Sequence, residues 1–84
     1  PAIWRKDIAG AWIRYDQYGK RTPYGWEVSY IRPLSRGGNS DVDNLLPLHW
    51  RNNKYKREDY PVCRTCVSSD GNKNIDKIRI WHIE

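Results

Sequence analysis

Tyr24-Gly25-Trp26-Glu27-Val28-Ser29-Tyr30-Ile31-Arg32-Pro33-Leu34-Ser35-Arg36-Gly37-Gly38, followed after a gap of four residues by Asp43-Asn44-Leu45-Leu46-Pro47-Leu48-His49-Trp50-Arg51-Asn52-Asn53-Lys54-Tyr55-Lys56, is the stretch that decides the fold. Trp26, Val28 and Tyr30 alternate with Glu27 and Ser29, the period of a half-buried strand. Arg32 to Ser40 is rich in Pro, Gly, Ser and Asn, which predicts a loop. Leu45 to Leu48 is short and apolar, and Pro47 lacks the amide hydrogen a central strand needs, so an edge strand or strand end is expected. His49 to Arg57 holds good helix formers without Gly or Pro, and Asp59-Tyr60-Pro61 stops it.

Outward from that core, the patterns weaken. Trp4-Arg5-Lys6-Asp7 leading into Ile8 to Ile13 reads as a short helix or an opening strand. Tyr18-Gly19-Lys20 and Thr22-Pro23-Tyr24-Gly25 are turn signals. Ser68 to Asn72 is expected to turn the chain into a closing strand, where Ile78 and Ile80 fall on one side and Arg79 and Trp81 on the other.

The 84 residues bound the chain to one domain, 1–84, with its motif core at 24–57. So short a chain has a thin core, and its five Trp and six Tyr are the side chains able to thicken it. Fifteen Lys and Arg against ten Asp and Glu leave a formal charge of +5, a field that attracts polyanions. No apolar run of about eighteen residues exists to span a bilayer. The two cysteines, Cys63 and Cys66, form one CxxC pair. Two thiols close no zinc site unless both His49 and His82 join them, so zinc is not expected and a cytoplasmic, reduced chain is.

Over Tyr24 to Lys56 the residues resemble HNH endonucleases, the His-Me finger or ββα-metal nucleases. Trp4 to Asp7, Gly10 to Ile13, Tyr60-Pro61 and Cys66 to Ser69 are similar to what flanks the motif in that family. The resemblance implies an α+β domain of small ββα-metal type, with a β-hairpin, a short motif helix and flanking strands. It also implies roles. An Asp ending the first strand binds a divalent ion and the His after it is the general base; here those positions hold Ser29 and Tyr30. The loop Asn that orients the base and braces the loop is matched by Asn44, and the helical residue that completes metal binding by Asn53.

The missing pair matters chemically. Hydrolysis of a phosphodiester needs a proton acceptor for water and a cation for the developing charge. Magnesium and manganese favour carboxylate oxygen, whereas Ser29 and Asn53 offer only neutral oxygen. A phenol is a poorer base than an imidazole near neutral pH. The expectation is a pseudonuclease that binds DNA or RNA, requires no cofactor, and presents Arg32 and Arg36 on the loop with Arg51, Lys54, Lys56 and Arg57 on the helix to phosphate. Two alternatives stand beside it. One is an active endonuclease using magnesium or manganese with Tyr30 as base. The other is a dead nuclease scaffold that docks on a protein, as a phage-type regulator or inhibitor does. Asp41, Asp43 and His49 are further candidates whose ordinary readings are turn chemistry and packing.

Overall fold

The computed structural model describes residues 3–82. Among them are six strands, paired as three separate antiparallel hairpins, and one helix. Strands β1 (Trp4–Lys6) and β2 (Trp12–Arg14) form the first hairpin, β3 (Trp26–Tyr30) and β4 (Leu45–His49) the second. Helix α1 (Trp50–Lys56) follows β4 directly, and β5 (Val62–Asp70) and β6 (Lys73–His82) make the long third hairpin. The α+β, ββα-metal expectation is therefore corrected: the molecule is mostly β, and its helix is only seven residues long. The motif points to one hairpin of the three and overstates the helix. His49 and Arg57, expected inside it, are its two caps.

The opening segment resolves to strands rather than a helix. Asp7 explains why: its backbone and carboxylate close the turn between β1 and β2, with Oδ1 accepting from the amides of Ala9 (3.0 Å) and Ala11 (2.9 Å). Such an Asx turn competes with a helix for the same amides. The last hairpin departs in part from expectation. Ser68, Ser69 and Asp70 lie in β5, and the chain reverses at Gly71 and Asn72. Cys63, Thr65, Val67 and Ser68 are the buried positions of β5, two of them polar, which hides its inward face from an apolar search. A register shift between Thr65 and Val67 lets both Val67 and Ser68 turn inward.

The interior has little aliphatic mass. Ala9, Ala11, Ile13, Leu48, Cys63 and Val67 are its buried apolar residues, and they share it with Asp7, Ser29, His49, Asn52, Lys56, Thr65 and Ser68. Buried polar groups are costly unless bonded, and here the bonds join the pieces. Asp7 Oδ2 accepts from the His49 amide (3.0 Å) and from Asn52 Nδ2 (2.9 Å). Asn52, with no exposed surface, also donates to the Val67 carbonyl, while its Oδ1 accepts from the amides of Cys66 (2.9 Å) and Val67 (2.8 Å). One amide thus stitches the helix to the bulge of β5 and to the first hairpin. Asn74 makes a second clasp: it accepts from the Trp12 amide (2.6 Å) and donates to the Trp12 and Pro23 carbonyls.

Candidate nucleic-acid interface

Strand β3 forms where expected, with Trp26, Glu27 and Tyr30 all half-buried. The polar pair Glu27 and Ser29 faces the helix, with Ser29 buried, while Val28 is exposed. The reason lies in α1: Asn53 Nδ2 donates to Glu27 Oε1 at 3.0 Å, which draws that edge of the strand under the helix. Val28, Ser29, Tyr30, Asn53, Lys56 and Arg57 are among the residues lining a cleft of about 290 Å³ between β3, the 34–36 turn and the end of α1. The structure thus brings together Ser29, Tyr30 and Asn53, three of the four positions matched to the motif.

Asn44 braces the loop, one of the two roles the resemblance implies for it. Its Oδ1 accepts from the Arg32 amide (2.8 Å), and its Nδ2 donates to the carbonyls of Arg32 (3.0 Å) and Asn39 (2.7 Å). It binds both ends of the loop and lies outside the cleft lining. Gly38 completes the loop: a Cβ there would sit 1.8 Å from the Arg32 carbonyl oxygen, a close backbone approach that only glycine allows.

The six expected cations divide. Lys56 has no exposed surface; its ammonium donates to the Asp59 carbonyl (3.2 Å), and burial lowers its pKa, with Cys63, Asp59 and Glu58 opposing. It lies beneath the cleft rather than on the surface, because it follows Asn52 by four residues and so shares the inward face of α1. Arg32 donates to the Arg36 carbonyl (2.6 Å) and stacks over Tyr60, and Arg36 donates to the Glu58 carbonyl (3.0 Å). Both are exposed, yet both also fasten the loop. Arg51 pairs with Asp76 at 2.8 Å, a largely exposed bridge of small energetic weight. Lys54 and Arg57 are exposed and make no side-chain bond among the described residues. Arg51, Lys54 and Arg57 border one shallow depression beside Tyr55 and Cys66, and Arg57 also reaches the cleft.

His49 is a structural residue. Its Nδ1 accepts from the Arg51 amide, capping α1, and its Nε2 lies 2.8 Å from the Pro23 carbonyl, which fixes the neutral ring with its proton on Nε2. Burial lowers its pKa, and the Pro23 bond and Asp7 counteract this only in part. With both nitrogens occupied, His49 has none to give a metal. Cys63 and Cys66 are free thiols whose pKa values burial raises. Among the described residues no group of three or more His, Cys, Asp or Glu is arranged to hold a metal ion. Ser29, Asn53 and Arg57 line the cleft, with Glu58 the one carboxylate of the lining. The neutral oxygens of Ser29 and Asn53 are poor partners for magnesium or manganese, which favour carboxylate.

Sequence reasoning passes over Asp7, Asn52 and Glu27, which position the site. Asp7 carries a usable signal, since an Asp three residues before a Gly is turn chemistry. Nothing in a single sequence distinguishes inward Asn52 from its neighbour Asn53. No helix of the described residues is long and apolar enough to cross a membrane. No protein-family model matches the chain, and neither a curated protein nor a solved structure matches it.

Proposed function

We propose that the chain is an HNH-nuclease-like domain with a degenerate active site, which binds nucleic acid by its backbone and does not hydrolyse it. One observation carries the reading: a cleft that sets Ser29, Tyr30 and Asn53 beside the exposed Arg57, above the buried Lys56. Such a cleft offers hydroxyl, amide and cation to a phosphate oxygen. It lacks an imidazole to take a proton from water and a carboxylate pair to seat a divalent ion. The exposed Lys54 and Arg57, with Arg51 beside them, extend the positive surface along the outside of α1. Cations of this kind neutralise phosphates without reading bases, so binding is sequence-tolerant and weakens with salt.

Two assays test it together. Supercoiled plasmid is incubated with the protein and magnesium or manganese, and a labelled duplex is titrated with the protein at several salt concentrations. The reading expects a salt-sensitive gel shift and intact plasmid. Nicking that Tyr30→Phe abolishes would replace it with the active endonuclease. No nucleic-acid binding at low salt would leave the protein-docking scaffold.

A further inference from the structure

The first hairpin carries an aromatic recess that the cleft does not use. Trp4, Trp12 and Tyr24 wall a hollow of about 360 Å³, with Asn72 at its lip. That volume is at the low end of pockets that take a small ligand. Trp4 meets Trp12 edge to face (centroids 6.4 Å apart, 84° between planes) and Tyr24 likewise (4.7 Å, 90°). Perpendicular rings form a slot in which a flat group can lie on one face and meet the edge of another. Trp4 is 43% exposed, so its ring is open to a ligand.

The recess is held open from behind. The Trp12 indole donates to the Gly71 carbonyl (2.8 Å), and Asn74 holds the Trp12 backbone on both its amide and its carbonyl. The platform is therefore preorganised, which lowers the cost of binding. Cations lie over two of its rings: Lys6 Nζ is 4.8 Å from the Trp12 ring centroid and Arg14 Cζ 5.5 Å from that of Trp4, with Arg14 also paired to exposed Asp16 (2.9 Å).

We infer that this recess takes an unpaired base of single-stranded nucleic acid, stacked on the rings, with its phosphate on Lys6. Charge selects this occupant. Three rings also suit a quaternary ammonium ligand, but the positive charges of Lys6 and Arg14 beside two of them would repel a further cation. A flat, neutral base with an anionic linker is complementary to both parts of the site. Asn72, exposed at the lip, has an amide able to bond a base edge. A base inside a duplex cannot enter, because its faces are covered by its neighbours.

The inference rests on the proposed nucleic-acid function and narrows it to strands with unstacked bases. Fluorescence anisotropy tests it with the whole chain and four labelled probes: a short DNA strand, its RNA counterpart, an abasic strand of equal length, and the matching duplex. Trp4→Ala is expected to weaken binding of the base-bearing strands roughly tenfold, Trp4→Phe to restore most of it, and neither to move the abasic strand or the duplex. Tyr24→Ala serves as the second variant, and circular dichroism checks that each is folded. Single-strand affinity indifferent to both alanine variants overturns the inference, as does an equal loss on the abasic strand. A trimethyllysine peptide that binds in a Trp4-dependent way also overturns it. Binding that depends on Lys54 and Arg57 but not on Trp4 refutes the recess alone. No binding of any probe refutes the proposed function with it.

Discussion

Asn52 donates its side-chain amide to the carboxylate of Asp7 at 2.9 Å, joining residues 45 positions apart in the chain, both of them buried. Around that bond the first hairpin, the helix N-terminus and the bulge of β5 share one polar centre. A small domain with few aliphatic residues inside has placed a saturated hydrogen-bond network where a larger one would place leucines.

Asp7→Ala strips partners from the amides of Ala9, Ala11 and His49 and from Asn52 at once. Buried donors left unpaired are costly, so a loss of about 3–5 kcal/mol is expected from urea unfolding. Combined with Asn52→Ala, the loss should fall well short of the sum of the two single losses. Additive losses would refute a shared network.

Glycine substitutions should separate close approach from backbone conformation. At Gly25 an added Cβ would sit 1.7 Å from the Lys20 carbonyl oxygen, so Gly25→Ala must displace backbone. At Gly71, φ is +64° and nothing lies within 4 Å, so Gly71→Ala carries only the left-handed penalty of about 1 kcal/mol. Thermal melts should rank Gly25→Ala well below Gly71→Ala. The reverse order would contradict the geometry.

The buried His49 should make the fold acid-sensitive. Its folded pKa is below the unfolded value of 6.5, so the unfolded chain binds the extra proton first as pH falls. Stability is then unaffected by His49 above that value, and declines as pH drops from about 6.5 toward the folded pKa. His49→Asn keeps an N-cap acceptor and removes the titration. Unfolding free energies across pH 5–7 should lose this part of their slope in the variant. An NMR titration giving an imidazole pKa at or above 6.5 would contradict the burial.

Lys54→Ala and Arg57→Ala should each weaken duplex binding and lower the salt dependence of log K by about 0.9 for each phosphate no longer neutralised. Lys56→Met should behave differently. Its buried ammonium has one carbonyl partner, so replacing it by an apolar side chain of similar length should alter stability by no more than about 1 kcal/mol. A salt slope unchanged in the Lys54 and Arg57 variants would remove helix α1 from the interface.

Ser29→Asp with Tyr30→His supplies the carboxylate and imidazole that the resemblance expects. Gain of magnesium- or manganese-dependent plasmid nicking is the expected outcome. Continued inactivity would mean that Asn44, Asn53 or the groove has drifted from the family's arrangement as well.

Local pattern is legible where it repeats. The alternation over Trp26 to Tyr30 points to a strand, Pro47 to an edge, and the helix formers after His49 to a helix. What each face meets is not legible, because a long-range partner decides it. Glu27 is bonded by Asn53 and Ser29 is buried, and β5 hides Thr65 and Ser68 among its buried positions. In β6 the division is as expected, yet Ile78 and Ile80 are exposed, while Arg79 and Trp81 are bonded toward the molecule through Ala9 and Thr65. The α+β assignment fails for the same reason: it weighs one motif, and the longest strands lie outside it. Of the cleft, the positions 29, 30 and 53 are legible, whereas the burial of Lys56 follows from Asn52, whose role only the tertiary fold reveals.

The Asn74 clasp on Trp12 spans 62 residues, and it constrains when the molecule can form. During synthesis Trp12 leaves the ribosome 62 residues ahead of the side chain that secures its backbone. Closing a loop of that length is slow relative to making a hairpin turn. The opening hairpin therefore waits on the last one, and a nascent chain stalled before residue 74 should expose its tryptophans to protease or chaperone.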